Sequence, residues 1–311
     1  MVEQPRMSRI DISHAVEVLL IAAAPERSEE LKSLWGKHEE RVHLTDSPEL
    51  DIGAWFGIIQ VTKVTLDQVW LLSFAAWRAI QAYSGVIDHL DDCHAPFDKE
   101  QVAAINGQAK ADADFDDLLV MVRTFRETQE SSNRDWPTSV PQPTITNDFT
   151  DRQDRAAYEL ACISGAFIFL HEVKHIAFKS DNNAPASAIE EEIACDLFAR
   201  NFLMQSADKY AFDSGQDVAK VKAKRALGIM FAKMLMLEIS PLEKWSSAGG
   251  HPAVGDRVRA LLADVPQDVA DYFWLATSSL LIAMCRSRSS LPHRISFNGC
   301  KDLANQLAGY L

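Results

Sequence analysis

A strongly apolar stretch in the middle of the chain, ACISGAFIFL at residues 161–170, runs directly into the sequence HEVKH at residues 171–175. The periodicity of the surrounding residues predicts one helix over residues 151–179. A helix that is apolar on nearly all of its faces lies in the middle of a protein, covered by other elements. Whatever His171 and His175 do, they are therefore expected to do it at the end of a buried helix.

The composition is in the ordinary range for a soluble globular protein, with 47% hydrophobic and 24% charged residues among 311. A formal net charge of −13 argues against a nucleic-acid partner or an anionic membrane surface, since both need clustered Lys and Arg. Asp11, His14 and Glu17 break up the apolar stretch that leads into residues 18–24, so no secretory signal is predicted. The five cysteines form no CxxC pair, which favours free thiols in the cytoplasm.

The N-terminal part of the chain predicts helices together with short strands. β-type residues around a Ser-Pro turn predict two strands, at residues 41–44 and 55–61. Helical periodicity follows at residues 66–90, and an acidic helical stretch is predicted at residues 111–128.

Beyond a proline-rich loop the periodicity is almost entirely helical. Further helices are predicted at residues 188–206, 218–237, 257–262 and 267–286, with a weak one near 301–310. The expected fold class is α+β, predominantly helical, with a small N-terminal sheet. The expected organisation is one compact unit in three consecutive parts, namely helices and strands at 1–130, the loop at 131–150 and a helical catalytic region at 151–311.

The sequence HEVKH has the spacing of a metal site. Histidines four residues apart lie on one face of a helix, so His171 and His175 are close enough to hold one ion. Zinc takes neutral imidazole nitrogens, and a catalytic zinc site keeps one position open for water. Glu172 is the candidate base for that water. Because this pattern arises by chance in roughly one chain of this length per hundred, a metal-free helix remains an alternative.

A third ligand is expected from the next helix, which begins within SAIEEEIACDL at residues 187–197. Ser187 and Glu190 form a capping box, which fixes the start of that helix and gives Glu190 a structural role. Glu192 lies about one turn inside the helix. Since the two helices are joined by a short turn, they should pack as a hairpin that brings Glu192 level with His175.

The neighbours of Glu192 receive different interpretations. Asp196 lies one turn after Glu192 on the same face, and a ligating histidine usually gives its second N–H to such a carboxylate. Glu191 shares its face only with Cys195, and we interpret it as a solvated surface charge. For Glu192 and Asp196 a surface position is the alternative.

The order HEVKH followed by EEIACDLFA resembles that of the thermolysin-type gluzincins, and the longer segment at residues 158–203 is similar to the Lit-type bacterial peptidases of family U49. The resemblance implies a zincin-like peptidase with Zn²⁺ as cofactor. The best-known member of the family cleaves elongation factor Tu in phage exclusion, so the expected substrate is a cytosolic protein such as that factor, and the expected role is antiviral defence. Carried over by position, the resemblance implies His171, His175 and Glu192 as ligands, Glu172 as general base and Asp196 as the partner of His171.

The resemblance to zinc peptidases also implies roles for two further segments. The pattern HPxxxxR at residues 251–257 resembles a downstream segment of several gluzincins, in which His251 would donate to the oxyanion. Arg257 would pair with an active-site carboxylate or with a substrate carbonyl. A loop between helices with a surface histidine is an equal alternative. By analogy with zincins, the strand at residues 55–61 is expected to bind extended substrate through β-augmentation.

Three alternatives to this function stay open. The first is a peptidase of the same chemistry that cleaves a repressor of a mobile element, the second a non-enzymatic helical protein that binds zinc, and the third a metal-free helical module. All the residues required for catalysis are present, which weighs against the second alternative.

Overall fold

The computed structural model describes residues 9–38, 42–45, 52–55, 58–127, 136–143, 149–239 and 252–311. It confirms the predicted fold class, predominantly helical α+β. In chain order the elements are α1 (Arg9–Ala23), a 3₁₀ helix (Pro25–Arg27), α2 (Ser28–His38), β1 (Val42–Thr45), β2 (Ile52–Trp55), β3 (Ile58–Thr62), α3 (Lys63–Asp92), β4 (Phe97–Asp98), α4 (Lys99–Ala103), α5 (Gln108–Glu127), α6 (Arg152–Asp181), α7 (Ala188–Met204), α8 (Ala207–Ser214), α9 (Val218–Ile239), α10 (Val254–Ala263), α11 (Tyr272–Ser287), β5 (Arg294–Ile295) and α12 (Cys300–Ala308).

The N-terminal sheet has the described strand order β1-β3-β2. β1 is parallel to β3, with Val42 opposite Ile59, and β2 is antiparallel to β3, with Trp55 opposite Ile58. The prediction of a single strand at residues 55–61 was wrong, because the chain reverses direction between Trp55 and Ile58. A continuous run of β-type residues carries no periodicity that would reveal such a reversal.

This strand order also corrects the expected site of β-augmentation. β3, which holds most of the predicted strand, pairs with a neighbour on both sides. A substrate strand can add only to a sheet edge with unpaired backbone groups. Among the described strands of this sheet, the edges are β1 and β2.

The long helix α3 follows β3 without a loop. The side chain of Thr62 accepts a hydrogen bond from the backbone N–H of Thr65 and so caps the helix. Further along, the indole N–H of Trp70 donates to the carbonyl of Pro141 at 2.8 Å, which ties part of the proline-rich segment to the helix. α3 packs against α5, α6 and α11 and thereby joins the two ends of the fold.

The helix α6 lies at the centre of the protein. Asp151 caps its first turn, and Asn182 ends it in the left-handed conformation at φ 51°. It is covered on different sides by α1, α3, α7 and α9. Every residue from Leu160 to Val173 is buried, so the apolar stretch found in the sequence is explained by its position.

Among the described residues, α6 is the helix that is long and apolar enough to cross a membrane. Of its most apolar window, 83% is buried inside the protein. The helices that cover α6 account for its composition, because a central core helix must be apolar on all sides.

The closest approach between α6 and α9 occurs at a glycine. A Cβ atom at Gly228 would lie 2.5 Å from the Cβ of Ile163, nearer than two carbon atoms can approach. The hydroxyl of Ser164 donates to the carbonyl of Gly228 at 2.7 Å across the same contact. The missing side chain therefore sets how near α9 lies to the helix that carries His171.

The main cluster of buried apolar side chains draws on both ends of the chain. Its members include Leu20, Phe74, Phe167, Phe231 and Leu307. The boundaries expected at residues 130 and 150 stay a prediction.

Candidate metal centre

The centre lies where the end of α6 meets the beginning of α7. The capping box at Ser187 is present in both directions: the Ser187 side chain accepts from the N–H of Glu190, and the Glu190 carboxylate accepts from the N–H of Ser187. These bonds satisfy backbone groups that are otherwise left unpaired at a helix start. α7 therefore begins at Ala188, and Glu192 faces the last turns of α6.

Three side chains from these two helices converge on one point. Nε2 of His171 lies 3.1 Å from Nε2 of His175 and 3.3 Å from Oε2 of Glu192, and Nε2 of His175 lies 3.4 Å from Oε1 of Glu192. Ligands at the usual zinc distances of about 2.0–2.1 Å in a tetrahedron lie about 3.3 Å from one another. The group therefore has the size and the donor chemistry of a divalent metal site.

The opposite nitrogen of each imidazole ring faces a carboxylate. Nδ1 of His171 lies 3.0 Å from Oδ1 of Asp196, and Nδ1 of His175 lies 2.6 Å from Oε1 of Glu191. The first contact is close but lacks the geometry of a regular hydrogen bond. A carboxylate at Nδ1 favours the tautomer that leaves Nε2 free to bind a metal. The contacts on both rings thus agree with the convergence of the Nε2 atoms.

Glu191 corrects the sequence interpretation. We expected a solvated surface charge, but its side chain is only 21% exposed and contacts His175. The reason lies in the shape of the imidazole ring, whose two nitrogens point to different sides. Glu191 and Glu192 are about 100° apart around α7, and the ring of His175 lies between them.

Asp196 is surrounded by positive charge. Arg257 donates from Nε to Oδ2 at 2.8 Å and from Nη2 to Oδ1 at 2.6 Å, and its Nη1 lies 3.5 Å from Oε2 of Glu192. Lys233 places its Nζ 2.5 Å from Oδ2 of Asp196. Each oxygen of Asp196 therefore has two cationic partners once His171 is included.

These contacts change the acidities of the groups in the metal-free chain. Burial alone would raise the pKa of Asp196, but Lys233, His171 and Arg257 hold it well below its usual range. Burial and the nearby Arg257 lower the pKa of Lys233 to about 7, although Asp196 opposes that shift. Burial lowers the pKa of His175, yet Cys195 and the glutamates outweigh this effect and raise it to about 11.

The remaining predicted residues are placed as follows. Glu172 is buried on α6, directly after His171, with 9% of its surface exposed. Arg257 lies near the start of α10 and reaches the site through Asp196 and Glu192, so the pairing with active-site carboxylates is the one observed. His251 lies outside the described residues.

Lys233 was not found from the sequence. It lies in α9 and is only 3% exposed. A signal was present, because Lys233 is the one charged residue within the apolar run LGIMFAKMLML at residues 227–237. A lysine inside such a run is expected to meet a buried acid, since Lys is almost never fully buried without a partner.

A comparison with protein families gives one match. The family model described as Peptidase U49 matches residues 59–277, which is more than half of the chain and contains the whole described centre. No curated protein and no solved structure matches the chain.

Proposed function

The chain belongs to the peptidase U49 family, and we propose that it is a zinc-dependent endopeptidase that hydrolyses a peptide bond in a cytosolic protein. The observation that carries this proposal is the convergence of three side chains on two adjoining helices, whose imidazole Nε2 atoms and carboxylate oxygens lie 3.1–3.4 Å apart. The proposal includes the gluzincin arrangement, in which the third ligand is a glutamate of the following helix.

His171, His175 and Glu192 would hold the metal through Nε2, Nε2 and a carboxylate oxygen. A zinc ion supplies Lewis acidity there, which polarises the scissile carbonyl and lowers the pKa of a water molecule. The proposed ligands are two imidazole nitrogens and one carboxylate. This donor set without thiolates is typical of catalytic zinc sites rather than of structural ones.

Glu172 has the role of general base in this proposal. It follows His171 on α6 and is buried beside the ligands. Its carboxylate would take a proton from the attacking water and pass that proton to the leaving amine, so one residue acts first as base and then as acid. His251 remains our candidate for a donor to the oxyanion.

For the substrate we propose elongation factor Tu, with a role in phage exclusion. This part is supported by the resemblance of residues 158–203 to the Lit-type peptidases. The net charge of −13 is consistent with a protein partner rather than a nucleic acid.

Replacing the proposed base tests the function. We expect Glu172→Gln to bind one zinc ion per chain, as the wild type does, and to lose at least about 100-fold in cleavage rate, because the amide takes no proton. Zinc content is measured on the purified proteins, and cleavage is followed as new protein termini in cells that express each variant. Glu190→Gln is the matched control, because Glu190 lies on α7 in the capping box and away from the metal position.

The outcomes separate the parts of this proposal. Undiminished cleavage by Glu172→Gln would remove Glu172 from its role, and a wild type without zinc would remove the metal. If new termini appear in other proteins while elongation factor Tu stays intact, the peptidase assignment stands and the substrate is wrong.

A further inference from the structure

Lys233 is a buried amine beside the metal centre that the proposed reaction does not use. Its Nζ lies 2.5 Å from Oδ2 of Asp196 and 4.6 Å from the centre of the Phe167 ring. Nζ makes no regular hydrogen bond within the part of the chain that the structure describes. Phe167 in turn lies one turn before His171 on α6, with the two rings 6.5 Å apart. The amine is thus enclosed between the core face of α6 and a single carboxylate.

This position is costly in free energy for a lysine. Removing an ammonium group from water is strongly unfavourable, and an apolar side chain of similar size would fill the same space. A contact with one aromatic ring offsets only a part of that cost. The contact that accounts for a lysine here is therefore the one with Asp196.

The four contacts on Asp196 are shared evenly between its oxygens. Oδ1 faces Nδ1 of His171 and Nη2 of Arg257, whereas Oδ2 faces Nε of Arg257 and Nζ of Lys233. A turn of this carboxylate about its Cβ–Cγ bond would weaken the contacts on both oxygens. Lys233 holds Oδ2 from the side of α9, and Oδ1 then stays directed at His171.

We propose that Lys233 is a positioning residue, which fixes the carboxylate of Asp196 so that Asp196 orients His171 for metal binding. The proposal rests on the proposed function, because it assigns a role in the same metal site. Lys233 acts through the 2.5 Å contact between its Nζ and Oδ2 of Asp196. Carboxylates that support ligating histidines typically change metal affinity by about 10–100-fold when they are removed.

The test is a double-mutant cycle read out as zinc affinity, measured by competition with a chromophoric chelator. We expect Lys233→Met to bind zinc about 10-fold more weakly than the wild type. Asp196→Asn should also bind more weakly, and the double variant should be no weaker than Asp196→Asn alone, because Lys233 acts through Asp196. Lys224→Met is the matched control on α9, since Lys224 pairs with Glu159 instead, and its zinc affinity should equal that of the wild type.

A purely structural role for Lys233 gives a different pattern. Lys233→Met would then leave zinc affinity at the wild-type value, whatever its effect on the free energy of unfolding, and that result would overturn the inference. Losses that multiply in the double variant would also overturn it. The same comparison with Lys233→Gln covers the case in which the methionine variant does not fold.

The experiment also separates this inference from the proposed function. A wild type that binds no zinc overturns the proposed function, and the present inference with it. A wild type that binds zinc no more tightly than Lys233→Met overturns the role of Lys233 alone.

Discussion

The ring of His175 lies between two consecutive glutamates, and each of them faces a different nitrogen. Glu192 is 3.4 Å from Nε2, and Glu191 is 2.6 Å from Nδ1. Neighbouring acids of one helix thus have separate proposed tasks: Glu192 would bind the metal, and Glu191 would fix the tautomer of the proposed ligand His175.

At this scale we predict that Glu191→Gln weakens zinc binding by about 10-fold, because a neutral amide is a poorer acceptor for the imidazole N–H than a carboxylate. Glu192→Gln should weaken it further, since a proposed ligand loses its charge. Chelator competition measures both affinities, with Glu190→Gln as the control for removing an acid from the start of α7. Wild-type affinity in Glu191→Gln would show that its contact with His175 does not support the metal.

The sequence was sufficient to propose the ligands and one of their supports, Asp196, but not the supporting roles of Glu191 and Lys233. His171, His175 and Glu192 follow from helical spacing and from a capping box, which are local properties of the chain. The contacts of Glu191 and Lys233 depend on how α6, α7 and α9 cross, which local periodicity does not determine. Arg257 was proposed through the resemblance, and its two bonds to Asp196 became visible only in the fold.

At the scale of the elements, the close contact between α6 and α9 depends on the absence of a side chain at Gly228. We predict that Gly228→Ala destabilises the protein by about 1–3 kcal/mol, because the new methyl group overlaps Ile163 on a buried helix. Gly85→Ala in α3 should instead stabilise it by about 0.5–1 kcal/mol, since nothing lies within 4 Å of the added Cβ and alanine favours a helix. Urea unfolding measures both changes, and a stabilised Gly228→Ala would contradict the proposed close approach.

For the helices and strands as well, the sequence predicted what local signals determine and missed what they do not. The bounds of α6 and α7 were predicted closely, because Asp151 and Ser187 mark the helix starts with side-chain caps. The reversal between β2 and β3 was missed for lack of a periodic signal. The helices α2 and α8 were also missed, because they are short and lie beside longer apolar segments that dominate the pattern.

For the whole molecule, the lowered pKa of Lys233 links stability to pH. The unfolded chain holds this proton up to about pH 10.5, whereas the folded chain releases it at about pH 7. The unfolded state therefore binds more protons between these values, so this group lowers the free energy of unfolding fully below pH 7, and the penalty disappears as the pH rises towards 10.5.

We accordingly predict that Lys233→Met gains stability relative to the wild type at pH 6, by more than about 1 kcal/mol, and that the gain shrinks by pH 10. Urea unfolding in the presence of a chelator measures the difference without any contribution from metal. Lys224→Met corrects for the removal of a lysine from α9. A gain that is constant or larger at pH 10 would contradict the assigned burial of the amine.

The three proposed ligands all belong to one helical hairpin, whereas the cations around Asp196 come from α9 and α10, much later in the chain. Protein synthesis proceeds from the N-terminus, so the hairpin is made before Lys233 and Arg257. Its short turn makes closure inexpensive in entropy. A nascent chain would thus possess every donor atom for a metal before it possesses the cations that hold Asp196 in place, and the ability to capture an ion would precede the finished geometry of the site.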